Sequence, residues 1–388
     1  MRRTTLYFII ILIFCVQSLR AEYTDANGVT WSEDPARYVK PKLDKESELR
    51  RDLSKSVISW LSENNEAAGK SCEEYANQLL NLENPRINSY LAAAQSFYLR
   101  NNNERAISIL EDIAAKYPDK ISEQGGNMPV KIHANLLIAK ISKESGNYDK
   151  ALAAYQKAQD SVNLDNNFGL LKGICILYMC EIEQLQSKDP NIILKRLEKV
   201  QDIEPPQNEH FKDSIVIADI EKSWAKYEYT KIAKGKEESH RQLLEDNIQV
   251  DPLTWKIVFY SLAAANGMDN FYVIWSRELS PETYLVGNAV WNRSLQGKSS
   301  IDKMTANIMK AEWLIQRKNY KEAADIYSSM YEEDMYFSPV AGLALAGCKQ
   351  KMGREKEAED MIEQVKAKYP KYDSIANSFK AQGYNIGM

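Results

Sequence analysis

The sequence predicts an all-α protein built from antiparallel helix hairpins. Three observations support this: a stripe of small residues, a glycine between amphipathic segments, and the recurrence of both. In residues 146–158, Ala151, Ala154 and Ala158 stand among long side chains. Residues three and four positions apart share one side of a helix, so this stripe predicts a second backbone packed closely against it. The chain has only 16 glycines and 12 prolines, too few for a protein of many β-turns.

The first 21 residues have the layout of a secretory signal peptide, with Arg2 and Arg3, an apolar core at residues 6–16, and Ala21 at the predicted cleavage site. The apolar core is shorter than the about 20 residues that a membrane-spanning helix needs. We therefore predict cleavage after Ala21 and an exported mature protein without an integral membrane span. An uncleaved anchor is the alternative.

Charge and cysteine usage narrow the possible functions. The formal net charge is −4, and it becomes more negative once the basic signal segment is removed. A mild acidic excess argues against binding to nucleic acid, which requires a basic patch. Cys175 and Cys180 are five positions apart in a helical segment, which is unfavourable for a disulfide. The sequence has no CxxC pair or close Cys/His group, so we predict buried free thiols and no metal site.

Residues 130–162 show the predicted hairpin in detail. The apolar side of a first helix includes Ala139, and that of a second helix includes Ala151 and Ala158. Gly146 separates the two helices and supplies a short turn. We expect Ala139 and Ala151 to let the two backbones approach closely.

This hairpin resembles the tetratricopeptide repeat, a helical pair of 34 residues with small and aromatic residues at set positions. The matching positions are Ala139, Gly146, Tyr148, Ala151, Tyr155 and Ala158. The pattern recurs upstream at residues 87–120 and twice near the C-terminus, at residues 306–334 and 342–372. Two of these repeats close on nearly the same stretch, AKYPDK at 115–120 and AKYPKY at 367–372.

The resemblance implies a right-handed α-solenoid of antiparallel helix hairpins. Residues 164–300 keep helical periodicity without the repeat signature. We interpret them as divergent hairpins of the same stack, with a separate helical domain as the alternative. The predicted organisation is a signal peptide at 1–21, a flexible N-terminal segment at 22–52, N-terminal repeats at 53–163, divergent helical hairpins at 164–300, and a C-terminal repeat pair at 301–388.

The residue patterns that enzymes use are scarce. His133, His210 and His240 lie in separate segments, and the sequence has no HExxH or GxSxG motif. Residues 64–71 and 292–299 end like a phosphate-binding loop, but each has Asn where the motif needs its first glycine. We therefore predict no enzyme activity, no catalytic residues, and neither a cofactor nor a metal.

In the tetratricopeptide family, the first helix of each hairpin lines a concave groove that binds a protein or an extended peptide. The resemblance places twelve residues of this chain in that partner-binding groove: Asn88, Gln95, Tyr98, His133, Leu136, Lys140, Lys143, Glu144, Thr305, Ile308, Glu312 and Gln316. Lys140 and Lys143 are expected to face solvent and to form one polar patch with Gln95 and Tyr98.

The predicted function is therefore that of a non-enzymatic scaffold or adaptor for a protein or peptide partner. The chain resembles exported repeat proteins of the bacterial cell envelope, which implies a periplasmic or secreted location and a role in envelope assembly. The alternative function is capture of a glycan or peptide by the aromatic-rich region at residues 255–291. Large side chains at helical spacing are more simply explained as core, however.

Overall fold

The computed structural model describes residues 23–24, 30–31, 44–122, 128–162, 171–203, 212–245, 262, 281–333, 336–373 and 376–377. The chain divides into two compact units, Met1–Ser96 and Phe97–Met388. The predicted signal peptide and the aromatic residues of 255–275 lie outside the described residues. Among the helices in these ranges, none combines the length and the apolar character needed to span a membrane.

The first unit contains a helical hairpin. Its elements are the paired strands β1 (Tyr23–Thr24) and β2 (Thr30–Trp31), the hairpin helices α1 (Lys45–Glu63) and α2 (Glu66–Leu80), and most of α3 (Ile87–Leu99). The side chain of Asp44 accepts a hydrogen bond from the Ser47 amide and so caps the start of α1. Asn64, at φ 52°, ends the helix. The prediction that residues 22–52 are flexible is therefore wrong from Lys45 onwards, because this capped helix already begins there.

Within its described residues, the second unit is helical apart from the two-residue strands β3 (Ile121–Ser122) and β4 (Met128–Pro129), which pair antiparallel. Its helices are α4 (Asn103–Lys116), α5 (Val130–Glu144), α6 (Tyr148–Ser161), α7 (Leu171–Leu185), α8 (Pro190–Gln201), α9 (Lys212–Lys234), α10 (Lys236–Glu245), α11 (Pro281–Gln296), α12 (Ser300–Gln316), α13 (Tyr320–Glu332), α14 (Ser338–Lys351) and α15 (Glu355–Lys368), followed by a 3-10 turn at Pro370–Tyr372. From α4 to α10, and again from α11 to α15, each helix packs on the next one along the chain. The predicted all-α solenoid of helix hairpins is confirmed.

The turn between α5 and α6 shows why the small residues are needed. Gly146 adopts a φ of +75°, a conformation that side chains disfavour. The Asn147 amide donates to the carbonyl of Ser142 at 2.8 Å, which closes the end of α5. Ala139 and Ala151 are both fully buried, one on each helix. Helices α5 and α6 pack on each other, so the prediction that the alanine stripe packs against a second helix is confirmed.

A larger side chain at Ala151 should separate α5 from α6. We expect Ala151→Leu to lower the free energy of unfolding by about 1–3 kcal/mol, the usual range for overpacking a core. Ala153 is exposed on the same helix, so Ala153→Leu is the matched control and should change stability by less than about 0.5 kcal/mol. Urea unfolding of both variants checks this. Equal stabilities would show that Ala151 is not at a tight helix contact.

Helix α7 begins beside a buried carboxyl group. Glu221 of α9 is 2% exposed, and the backbone N–H of Ile174, in the first turn of α7, donates to it. Gly173 permits this approach, since a Cβ there would lie only 2.2 Å from Glu221 Oε2. Burial raises the pKa of Glu221 well above its usual value. The native state therefore favours the protonated carboxyl.

The raised pKa of Glu221 makes stability depend on pH. Above the unfolded value near 4.5, the native state binds one proton more than the unfolded state, so the free energy of unfolding falls as pH rises. The slope for one proton is at most about 1.4 kcal/mol per pH unit. We expect Glu221→Gln to remove this slope and to be more stable than wild type at pH 8. Asp219→Asn, at an exposed position of the same helix, is the control. Parallel pH profiles from urea unfolding would contradict the assignment.

Two further sequence predictions concern thiols and phosphate binding. Cys72, Cys175, Cys180 and Cys348 are free and buried, as predicted. Residues 64–71 comprise the two-residue connection between α1 and α2 and the start of α2, and residues 292–299 include the end of α11. Neither segment follows a strand in the described chain, so neither has the strand-to-helix context of a phosphate-binding loop.

Candidate partner-binding site

The predicted groove residues of the second unit are mostly buried. The side chains that are at most 4% exposed are His133, Leu136, Lys140, Lys143, Thr305 and Ile308. Gln316 is exposed, and Glu144 and Glu312 are half-buried. In the first unit, Asn88 is half-buried and Gln95 is exposed.

The expectation that Lys140 and Lys143 face solvent is therefore wrong, as it is for Tyr98, which is 5% exposed. Their side chains contact residues between Arg293 and Asp302 of the same chain. The resemblance to repeats predicts which side of α5 they occupy, but it carries no information on a segment that covers that side.

Lys143 reaches from α5 to the start of α12. Its Nζ atom lies 2.6 Å from Asp302 Oδ1 and 3.4 Å from Ser299 Oγ. The same ammonium lies 4.2 Å from the ring centroid of Tyr178, which stacks on Tyr155. The ammonium is thus held by a charge pair and by a cation–π contact, both in a buried setting.

Glu181 of α7 receives the N-terminus of α12. Its carboxylate accepts hydrogen bonds from the backbone N–H groups of Ser300, at 2.6 Å, and Ile301, at 3.0 Å. The hydroxyl groups of Ser299 and Ser300 also donate to it. The first N–H groups of a helix have no partner within the helix and favour an anion, so Glu181 satisfies them. Burial raises the pKa of Glu181, with Asp302 adding to the shift and the Lys143 charge opposing it.

Lys140 and Glu144, one turn apart on α5, form a second charged group with Arg293. Lys140 Nζ lies 2.9 Å from Glu144 Oε1 and donates to Ser294 Oγ at 3.0 Å. The Tyr98 hydroxyl donates to Glu144 Oε2 at 2.7 Å, and the Arg293 guanidinium lies 3.9 Å from the Tyr98 ring centroid. Burial lowers the pKa of Lys140, but the charges of Glu144, Tyr98 and Asp302 and the hydrogen bond to Glu144 together outweigh burial, so the pKa of Lys140 is raised.

These contacts form one charge-balanced group. We call it the ionic cluster and define it by seven residues: Lys140, Lys143, Glu144, Glu181, Arg293, Ser299 and Asp302. Its three cations face three carboxylates. Ions of opposite sign offset the cost of removing each other from water, whereas an unpaired buried charge is strongly unfavourable. The ionic cluster therefore links α5 and α7 to α11 and α12 in one specific arrangement.

Sequence reasoning missed Glu181, Arg293, Ser299 and Asp302. The available signal was the order Ser299-Ser300-Ile301-Asp302 before an apolar helix, which is typical of a helix start with a capping side chain and an acidic third residue. The structure has this cap, since the Asp302 amide donates to Ser299 Oγ at 3.0 Å. No feature of the sequence indicates that Glu181, more than 100 residues upstream, binds the same helix start.

A pocket of about 300 Å³ borders the start of α12. The described residues of its wall include Trp224 and Tyr227 from α9, Ser300 and Ile301 from α12, and Tyr336. The Trp224 and Tyr336 rings stack on each other with centroids 6.1 Å apart. Because both residues are almost fully buried, 4% and 2% exposed, their rings present little flat surface on which a sugar could stack. The pocket also contains exposed Lys231 and Lys236, so it opens to solvent.

Removing the ammonium of Lys143 should leave the buried carboxylates of Asp302 and Glu181 without the cation beside them. We expect Lys143→Ala to lower the free energy of unfolding by about 3–5 kcal/mol, the range for breaking a buried ion pair. Lys150 pairs with Glu111 at the surface, where both side chains are more than a third exposed. Lys150→Ala is thus the matched control, with an expected loss of at most about 1 kcal/mol. Denaturant unfolding of the two variants measures the difference, and similar losses would refute the buried charge balance.

Comparison with known families supports the repeat interpretation. Family models described as tetratricopeptide repeat match residues 314–383 and residues 88–120. No curated protein matches the chain. The two matches cover α13 to α15 and the segment of α3 and α4, where the sequence analysis places repeats. They support a tetratricopeptide-repeat protein, and repeats of this kind suggest a scaffold for protein interactions.

Proposed function

We propose that the protein is an exported, non-enzymatic scaffold of the bacterial cell envelope that binds a protein or an extended peptide in the groove of its helical stack. The tetratricopeptide-repeat matches support the interaction role. Stacked first helices provide a continuous surface for such a partner.

One observation carries this proposal. Residues assigned to the groove from the repeat pattern already bind a polypeptide segment, which belongs to the same chain. Lys140 and Lys143 bind the side chains of Ser294 and Asp302, and the main-chain carbonyl of Tyr98 accepts a hydrogen bond from the side chain of Arg293. Lys140 and Lys143 of α5, together with Tyr98 of α3, therefore have the chemistry to recognise a peptide: two ammonium groups, a hydroxyl group and an aromatic ring.

The thiol groups favour a non-enzymatic function. Catalytic cysteines act as thiolates and need a low pKa. Burial raises the pKa of Cys348 to about 12 and also raises the pKa of Cys175 and Cys180. These three thiols therefore stay protonated at neutral pH and serve as small apolar side chains.

Export is tested by the mass of the mature protein. We expect the protein purified from the envelope fraction to begin at Glu22, because the preceding segment has the layout of a signal peptide. Intact-mass measurement identifies this terminus directly. A mature chain that keeps residues 1–21 in the membrane fraction would indicate the anchor instead, and a soluble cytoplasmic chain with those residues would exclude export.

The groove is tested by site-specific photo-crosslinking of the full chain in the envelope. A photoreactive residue at exposed Gln95 or Gln316, both assigned to the groove, should give an adduct with the partner. The same residue at exposed Lys356 on α15 is the control, since the repeat pattern does not assign it to the groove. Adducts at Lys356 alone would place the partner elsewhere. Equal labelling at all three positions would indicate non-specific contact.

A further inference from the structure

Residues 299–302 contact α5 and α7 as a bound peptide would. The backbone N–H groups of Ser300 and Ile301 and the hydroxyl of Ser299 donate to Glu181. Asp302 accepts from Lys143. Every one of these bonds joins two segments that are more than 100 residues apart in the chain.

We propose that residues 299–302 are an internal ligand of the groove, and that the external partner presents the same chemistry: a helix N-terminus with Ser or Thr at the cap and a carboxylate three residues later. The inference rests on the proposed function, because it takes the groove of α5 and α7 as the place where the partner binds. The internal ligand then competes with the partner, and the free protein is self-inhibited.

The groove favours this partner because any other partner would leave Glu181 without hydrogen-bond donors or Lys143 without a carboxylate. Glu181 has four donors around it, two of which are backbone N–H groups. A partner without free N–H groups leaves the carboxylate without these bonds. Lys143 requires a carboxylate, since without Asp302 its ammonium remains buried beside Tyr178 and Ser299 without its charge partner. A capped, acidic helix start meets both requirements at once.

The pocket beside α12 gives a partner access to the internal ligand. Ser300 and Ile301 line the pocket and also donate to Glu181. The pocket opens to solvent at Lys231 and Lys236, so an incoming chain can reach Ser300 and Ile301 from the side of α9. Exchange requires that the start of α12 leave Glu181 and Lys143, which exposes the buried Ser299, Ile301 and Asp302.

A peptide of residues 297–316 carrying a fluorescent label is the probe. Its binding to the full-length chain is measured by fluorescence anisotropy. The wild-type chain should bind it weakly, because the groove is occupied. The chain with Asp302→Ala should bind it at least about tenfold more tightly, since its own segment has lost the carboxylate that Lys143 holds. The same peptide with Asp302→Ala should lose at least about tenfold in affinity for that chain.

Asp325→Ala, at an exposed position of α13, is the matched control and should bind the peptide as the wild-type chain does. Hydrogen exchange of each variant shows whether α14 and α15 stay protected. If Asp302→Ala loses protection throughout the second unit, Ser299→Ala replaces it, because that change keeps the Lys143–Asp302 ion pair while it removes one donor to Glu181 and the cap of α12.

Three results would overturn the inference: equal peptide binding by the wild-type and folded variant chains, equal affinity of the two peptides, or loss of protection throughout the second unit in both variants. The last would make the contact part of the core. The outcome is separable from the proposed function. Peptide exchange without crosslinks at Gln95 or Gln316 would contradict only the proposed envelope partner. Crosslinks without peptide exchange would contradict only the proposal that residues 299–302 are an internal ligand.

Discussion

The ion pair between Lys143 and Asp302 fixes how the early and late helices of the second unit meet. Both side chains are almost fully buried, with 2% and 3% of their surface exposed. Neither charge is tolerated there without the other. Ser299 forms hydrogen bonds with both Glu181 and Lys143 at the same contact. The position of α12 against α5 and α7 is therefore set by the directions and lengths of these bonds and not only by the burial of apolar area. Buried ionic groups of this kind can specify one arrangement even where they add little stability.

The second unit thus combines two kinds of contact with different physical origins. Within each hairpin, small residues such as Ala139 and Ala151 let backbones approach, and dispersion and burial stabilise the pair. Between α5 and α12, the contact is made by the buried charged side chains of Lys143 and Asp302. The contacts through small residues repeat along the chain, because every hairpin has two helices that must pack closely. The second occurs where two particular helices meet and follows no repeat.

This difference explains what the sequence could predict. The hairpin at Gly146 is encoded by residues within 34 positions of one another, so periodicity and turn chemistry are sufficient. The repeat pattern also assigned Lys140 and Lys143 to the groove side of α5. It could not predict their burial, because that depends on Asp302, which lies 159 residues away. A lysine on a helix surface and a lysine in an ionic cluster look alike until the partner helix is known. The start of α1 was missed for a simpler reason: the charged composition of residues 22–52 concealed the cap at Asp44.

The separation of the charged partners along the chain also bears on the order of folding. Helical hairpins form from neighbouring residues and fold quickly, since little chain entropy is lost in bringing their ends together. The bonds from Lys140 to Ser294 and from Lys143 to Asp302 close loops of 154 and 159 residues. During synthesis, which proceeds from the N-terminus, α5 to α8 can form before Asp302 has been translated. During that interval Lys143 and Glu181 are exposed to water, so a nascent chain passes through a state that presents two charged side chains which the folded protein buries.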